Sequence, residues 1–339
     1  MTHVPSPQSH QAAAGAHHGH PTHAADDQAQ ILDLDAHVLA DHLAGLARWL
    51  PLQAPPTRIL DLGCGTGAGT FALLGQFPEA RVTAVDTSAA HLRRLDEKAR
   101  ERGLADRVRT VEADLDAADW PGLGIPDLVW ASASLHHMAH PDRALRQVHD
   151  LLASGGLLAV VELSGFPRFL PASGPGEPPS LEERCHEVSA GFHATHMPLR
   201  GADWGPMLTA AGFAVEGERT LTVSIDGSRD EAIGAYARSG LERLRLSVAE
   251  SLPPEDLAAL DRLLDADGPE SILRRDDLAV RTERQVWAAR RTACGLRQGS
   301  ARSGGAPAGP PRLSRRAAGA RADRPAPAAA APGGRPRRR

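Results

Sequence analysis

What this sequence lacks narrows its class first. Its three cysteines, Cys64, Cys185 and Cys294, lie far apart and are odd in number, which argues against a disulfide framework or a CxxC zinc site and suits a reducing cytosol. No apolar run approaches the roughly 18 residues of a membrane-spanning helix. The first residues, MTHVPSPQSHQAAAGAHHGHPTHAADDQAQ, have neither a basic n-region nor an apolar h-region, so neither export nor membrane insertion is expected. Lysine is nearly absent. Lys98 is the only one, with arginine in its place elsewhere, so arginine-rich stretches say less about partners than they otherwise would. No solenoid-type repeat is visible.

What is present reads as a soluble globular chain: 339 residues, 42% hydrophobic and 24% charged. The charge is uneven. From Arg297 to Arg339, eleven arginines face one acid, Asp323, so this tail carries +10 and the rest of a chain of net −4 carries −14. The tail is Arg, Ala, Pro and Gly, too poor in large apolar residues to offset its ordering entropy. It is read as a disordered, solvated extension, and nucleic acid is not expected as a partner. The histidines of the start (His3, His10, His17, His18, His20, His23) have no fixed spacing and no acidic or cysteine partners, so no metal is assigned to them.

Order is expected from ILDLDAHVLADHLAGLARWL, where Ile31, Leu34, Val38, Leu39, Leu43, Leu46 and Leu50 recur at helical spacing. Pro51, Pro55 and Pro56 end that helix. Strands are then expected near 58–62, 81–85, 107–111, 127–131 and 156–161, alternating with helices near 68–76, 88–102 and 141–152. The second of these helices is capped by Ser88 and stops at Gly103, and the third opens on Pro141. Strand and helix alternating at this spacing predict an α/β fold with an open parallel sheet covered on both faces.

In such a sheet the ligand sits beyond the carboxyl ends of the strands, so the residues just after each run carry the function. They are Asp61 with the turn GCGTGAG, Asp86 in VTAVDTS, Asp114 in VEADL, and Ser132 to Met138 in SASLHHM. Two ligand classes suit a glycine turn there. Gly63-x-Gly65-x-x-Ala68 formally satisfies the dinucleotide fingerprint, which keeps a nicotinamide-dependent oxidoreductase as the alternative enzyme. Pyrophosphate, however, prefers a turn free of carboxylates, and Asp61 precedes Gly63 by two residues. A ligand with a positive end, such as S-adenosylmethionine, suits the acid better.

The four motifs in order resemble the class I S-adenosylmethionine-dependent methyltransferase family, in its small-molecule branch. ILDLGCGTG is similar to the family's first motif, VTAVDTS to its acidic loop, VEADL to its adenine loop, and DLVWASASLHHMAHPDRALRQVHDLLASGGLLAVVE to its fourth strand, helix and fifth strand; SGG stands where many members have PGG. The resemblance implies a Rossmann-like, doubly wound, mostly parallel sheet of seven strands with the last antiparallel, carrying helical lid insertions. It also implies a site in which Asp61, Gly63, Cys64, Gly65, Thr66 and Gly67 hold the amino acid end of S-adenosylmethionine. Asp86 with Thr87 holds the ribose, and Asp114 and Leu115 the adenine, with Ser132 beside them. The bland alternatives are that Asp61 caps a turn, Asp86 caps the next helix and Asp114 is a solvated loop acid.

The organisation expected is a disordered His-rich leader at 1–30, a methyltransferase domain at 31–292 with lid insertions at about 163–202 and 227–278, and a disordered Arg/Pro/Ala-rich tail at 293–339. A small-molecule methyl acceptor is the expected partner. If its nucleophile carries a proton, His136 is read as the pocket-facing base, with His137 as its neighbour and a packing histidine as the alternative. Phe166, Phe169 and Trp204 either line a substrate cavity or pack the lid. Cys185, His186, His193 and His196 have the side chains of metal ligands, yet their spacing fits no zinc pattern, and no metal is expected. A cofactor-binding module without catalysis is the reading from outside enzymology.

Overall fold

The structure, a computed structural model, describes residues 21–227 and 230–292. The expectations for the start of the leader and for the tail lie outside the described residues. In chain order the elements are α1 (Pro21–Val38), α2 (Ala40–Trp49), β1 (Arg58–Leu62), α3 (Ala68–Gln76), β2 (Arg81–Asp86), α4 (Ala89–Glu101), β3 (Val108–Glu112), β4 (Leu128–Ser132), α5 (Pro141–Leu151), β5 (Leu157–Leu163), α6 (Leu181–His196), α7 (Gly205–Ala210), β6 (Phe213–Asp226), α8 (Glu231–Val248), α9 (Pro254–Leu264) and β7 (Ala279–Arg291).

The seven strands form one sheet in the order β3-β2-β1-β4-β5-β7-β6. Strands β1 to β5 are parallel to their neighbours, while β7 runs antiparallel to both β5 and β6. Side chains alternate across the central strands and so feed two cores. Ile59, Leu128 and Leu157 point to the layer that contains α2, α3 and α4, whereas Leu60, Val129 and Leu158 point to the layer that contains α5 and α7. Burial on both faces explains why these strands read as continuous apolar runs.

The sheet order reverses between β1 and β4, and register makes that edge even: Leu62 pairs with Val85 and with Ala131, and Ser132 with Val161. The residues next in line, Gly63, Asp86 and Ser132, therefore emerge at one level, with Ala133 and Glu162 one residue further on.

The helix expected over 31–50 is in fact two. α1 begins at Pro21, which corrects the expectation of a disordered leader for residues 21–30, and the chain turns at Leu39 (φ −98°, ψ 10°) before α2. Tertiary packing sets the break: Leu39 and Leu43 sit in the core of the sheet, while Ile31, Leu34 and Val38 of α1 lean on a third cluster built from α6, α8, α9 and Phe169. That cluster unites the two segments read as insertions. Among the described residues no helix is long and apolar enough to cross a membrane.

Candidate active site

A cavity of about 390 Å³ opens at the reversal point of the sheet. Ten of the residues expected at a cofactor site line it: Asp61, Gly63, Cys64, Gly65 and Thr66 from the first turn, Asp86 and Thr87 after β2, Asp114 and Leu115 after β3, and Ser132 at the end of β4. Gly67 is not on its wall. Its role is steric, since it starts α3 at φ +97° and a Cβ there would lie 2.8 Å from the Phe71 ring and 3.0 Å from Leu95. The spacing of the turn has a similar internal cause at Gly63. With φ +65°, a Cβ at that position would fall 2.4 Å from the Cβ of Ser134, so glycine lets the loop after β4 close against the turn. The Ser134 hydroxyl then donates to the carbonyl of Leu62 at 2.9 Å.

The two acids of the first two loops differ in kind. Asp61 is buried, and the Thr70 hydroxyl donates to its Oδ2 at 2.6 Å. Burial pushes its pKa up to about 7, against the pull of that hydrogen bond, with the charge of Asp86 adding to the rise. Asp86 moves the other way: burial opposes its ionisation, but His91 and the N–H groups of Ser88 and Gly65 outweigh it and hold the carboxyl below the usual range. Burial first, then the charges of Asp61 and Asp86, drive the Cys64 thiol far upward, which leaves it a neutral wall group.

A pH dependence follows from Asp61. Its folded pKa lies above its unfolded one, so between about pH 4 and 7 the folded state binds more protons, and stability falls as pH rises through that window. Urea unfolding of the ligand-free protein at pH 5.5 and pH 8 is expected to show wild type losing about 2 kcal/mol relative to Asp61→Asn. A gap that is equal at both pH values would exclude this account.

The reading of His136 as the pocket-facing histidine is corrected. His136 is buried, with Nδ1 2.5 Å from Oε2 of Glu162, and it is absent from the cavity wall. His137 is the histidine that faces the cavity, its ring 4.1 Å from that of His136. Burial, with the charges of His136 and Arg200, keeps His137 below the usual imidazole range despite the opposing charge of Glu162. It is therefore neutral at pH 7, with one bare ring nitrogen. The adjacent Ala133 holds φ +51°, a strained value for a residue with a Cβ. Glu162 Oε1 fixes the segment by accepting from the N–H groups of Ser134 (3.2 Å) and Leu135 (2.8 Å).

Several wall residues escaped the sequence reading. Gln28, Leu32 and Asp35 come from α1, His91 from α4, and Arg284 from β7. Arg284 donates from Nη2 to both oxygens of Asp35 (2.8 and 2.9 Å), and the Tyr236 hydroxyl donates to the same carboxylate at 2.6 Å. Asp33, one turn away from the break, pairs with Arg94 and Lys98, and Lys98 also donates to the carbonyl of Thr66 at 3.0 Å. These ties hold α1 over the cavity. The one available sequence signal was helical phase, which sets Gln28, Leu32 and Asp35 on one face of α1 without saying what that face covers.

The aromatic and metal-type residues also separate. Phe169 and Trp204 are packed into cores, and only Phe166 borders a cavity. Cys185 is buried in the cluster with α8, while His196 stacks on Phe192. Among the described residues no group of three or more His, Cys, Asp or Glu side chains is placed to hold a metal ion.

A doubly wound seven-strand sheet whose last strand is antiparallel carries an acid-lined cavity at its switch point, where such sheets bind their ligands. Residues 60–158 match a family described as a methyltransferase domain. It is 34% identical over 180 residues to the 27-O-demethylrifamycin SV methyltransferase of Amycolatopsis mediterranei, covering 52% of this chain and 60% of that one. It is 44% identical over 116 residues to the trans-aconitate 2-methyltransferase of Paracidovorax citrulli, covering 34% of this chain and 41% of that one. The chain thus spans between 41% and 60% of the length of these two curated relatives. Among solved structures, the YcgJ protein of Bacillus subtilis aligns with a TM-score of 0.46 and 16% identity, over 75% of this chain and 99% of that one.

Proposed function

We propose that this chain transfers a methyl group from S-adenosylmethionine to a small-molecule acceptor. The observation that carries the reading is the convergence on one cavity of Asp61, Asp86 and Asp114 from three separate strands. The residues fit the cofactor. Asp61 presents a buried carboxylate whose one hydrogen-bond donor is Thr70, so a ligand ammonium meets an acceptor with spare lone pairs. Oδ2 of Asp86 accepts only the Gly65 N–H and retains capacity for a ribose hydroxyl, while Oδ1 accepts the Ser88 N–H and meets the His91 ring. Asp114 accepts from the N–H of Asp116 and keeps an oxygen for an exocyclic amine.

Bound there, S-adenosylmethionine supplies a methyl carbon already activated by its sulfonium. The chain's part is to hold and shield: α1 covers the cavity, and His137 offers a neutral nitrogen to accept a proton from a hydroxyl or ammonium nucleophile. The buried thiols of Cys64 and Cys185 suit a reducing cytosol. The oxidoreductase alternative fares worse because a pyrophosphate would lie against Asp61.

Calorimetric titration with S-adenosylmethionine, S-adenosylhomocysteine and NAD tests the reading. The sulfur cofactors are expected to bind and NAD to fail. Asp86→Ala should weaken S-adenosylmethionine binding by about 1.5–3 kcal/mol while the fold survives. Tight binding of NAD, or full affinity in the variant, would overturn the assignment. Release of S-adenosylhomocysteine during incubation with a metabolite panel separates an enzyme from a module that only binds.

A further inference from the structure

A second cavity, of about 420 Å³, lies at the carboxyl end of β5, between the segment Ser164–Arg168 and α6. Its wall includes Phe166, Arg168, His186, His193 and Arg200, and no carboxylate. This is unusual ground in a chain whose part outside the tail carries −14. Among the described residues neither Arg168 nor Arg200 forms an ion pair with an acid, although ten arginine–acid pairs occur elsewhere among them.

The donors there are built in and short of partners. The Arg200 guanidinium lies flat over Phe166, 3.2 Å from the ring centre, and its buried Nε has no hydrogen-bond partner. The Nε2 of His186 is likewise buried without a partner. Burial, then the charges of Arg168, His193 and Arg200, push His186 down to about 4, so it is neutral at pH 7 and adds polarity without adding charge. Burial also brings Arg200 down to about 10, with Glu162 opposing. A half-buried guanidinium whose Nε lacks a partner is costly, and an oxyanion entering the cavity that Arg200 lines with Arg168 relieves that cost.

The position connects this pocket to the first. The charge of Arg200 acts on His137 and that of Glu162 on Arg200, and His137 faces the first cavity. We propose that the second cavity receives the anionic end of the methyl acceptor, a carboxylate or phosphate group held by Arg168 and Arg200, with the rest of the molecule reaching toward His137. This rests on the methyltransferase reading and adds the class of acceptor to it.

The test titrates the full chain with tricarballylate, with inorganic phosphate and with the neutral triamide of tricarballylate, each with and without saturating S-adenosylhomocysteine. At least one anion is expected to bind and the triamide to fail; which anion binds decides between carboxylate and phosphate. Arg168→Gln and Arg200→Gln should each weaken anion binding by about tenfold or more. Arg200→Lys should recover part of it, and affinity for S-adenosylhomocysteine should be unchanged in all three. Failure of both anions to bind would overturn the proposal. So would binding retained in both glutamine variants, which would place the anion elsewhere, such as on the arginine-rich C-terminal segment. If S-adenosylhomocysteine itself fails to bind wild type, the methyltransferase reading falls, while the anion titration without it still reads the pocket. Should Arg200→Gln not fold, Arg168→Gln and the triamide comparison decide.

Discussion

Glu162→Ala is expected to lower folding stability by about 3–5 kcal/mol, the range for breaking a buried polar pair by removing one partner. Glu162 is 2% exposed and serves three groups at once: the N–H of Ser134, the N–H of Leu135 and the His136 ring. Alanine leaves all three buried without an acceptor, and each such loss is itself costly. The same acid pins the segment in which Ala133 is held at φ +51°, so the loop that carries Ser134 and His137 should loosen with it. Glu162→Gln keeps an acceptor oxygen for the two N–H groups but sets an amide against the histidine, and should fall between wild type and alanine. Urea unfolding monitored by tryptophan fluorescence gives the numbers. A loss below about 1 kcal/mol for the alanine variant would mean that the loop is held by other contacts.

The second large effect is expected at Arg284. This arginine is 3% exposed, and its Nη2 bonds both oxygens of Asp35. It is the tie between β7 and α1. Arg284→Ala should cost about 3–5 kcal/mol, because Asp35 is left half-buried with only the Tyr236 hydroxyl. The damage should concentrate in α1, with amide exchange there rising more than in β1 or β4, and affinity for S-adenosylhomocysteine should fall since Gln28 and Leu32 help to form its cavity. Replacing both partners, Arg284→Met with Asp35→Leu, should recover much of the stability, as apolar replacement of a buried ion pair often does. If the double variant is no better than Arg284→Ala, the ion pair is not the cause. Equal protection of α1 in wild type and Arg284→Ala would likewise rule out a clasp.

The sequence by itself determined the parallel half of the fold and much of the wall of the cavity at the switch point. The strands at 58–62, 81–85 and 127–131 were legible because burial on both faces makes a parallel strand an unbroken apolar run, and the acids were legible because a doubly wound sheet exposes whatever follows each strand. Asp61, Asp86, Asp114 and the glycine turn lie within a few residues of strand ends, so local spacing suffices to place them. Tertiary structure decided the rest. His136 and His137 are adjacent in sequence, and only the buried Glu162 at the end of β5 determines which one turns inward. Arg284 reaches the cavity because β7 runs antiparallel to β5, setting Arg284 opposite Leu163 at the end where the site lies. Its partner Asp35 is 249 residues away in sequence, a separation over which no periodicity carries information. Arg168 and Arg200 line one cavity only because the segment around α6 packs beside the end of β5. Local pattern fixes which residues form strand and helix; side-chain partners, which depend on the packing of distant segments, are fixed only when the chain has closed.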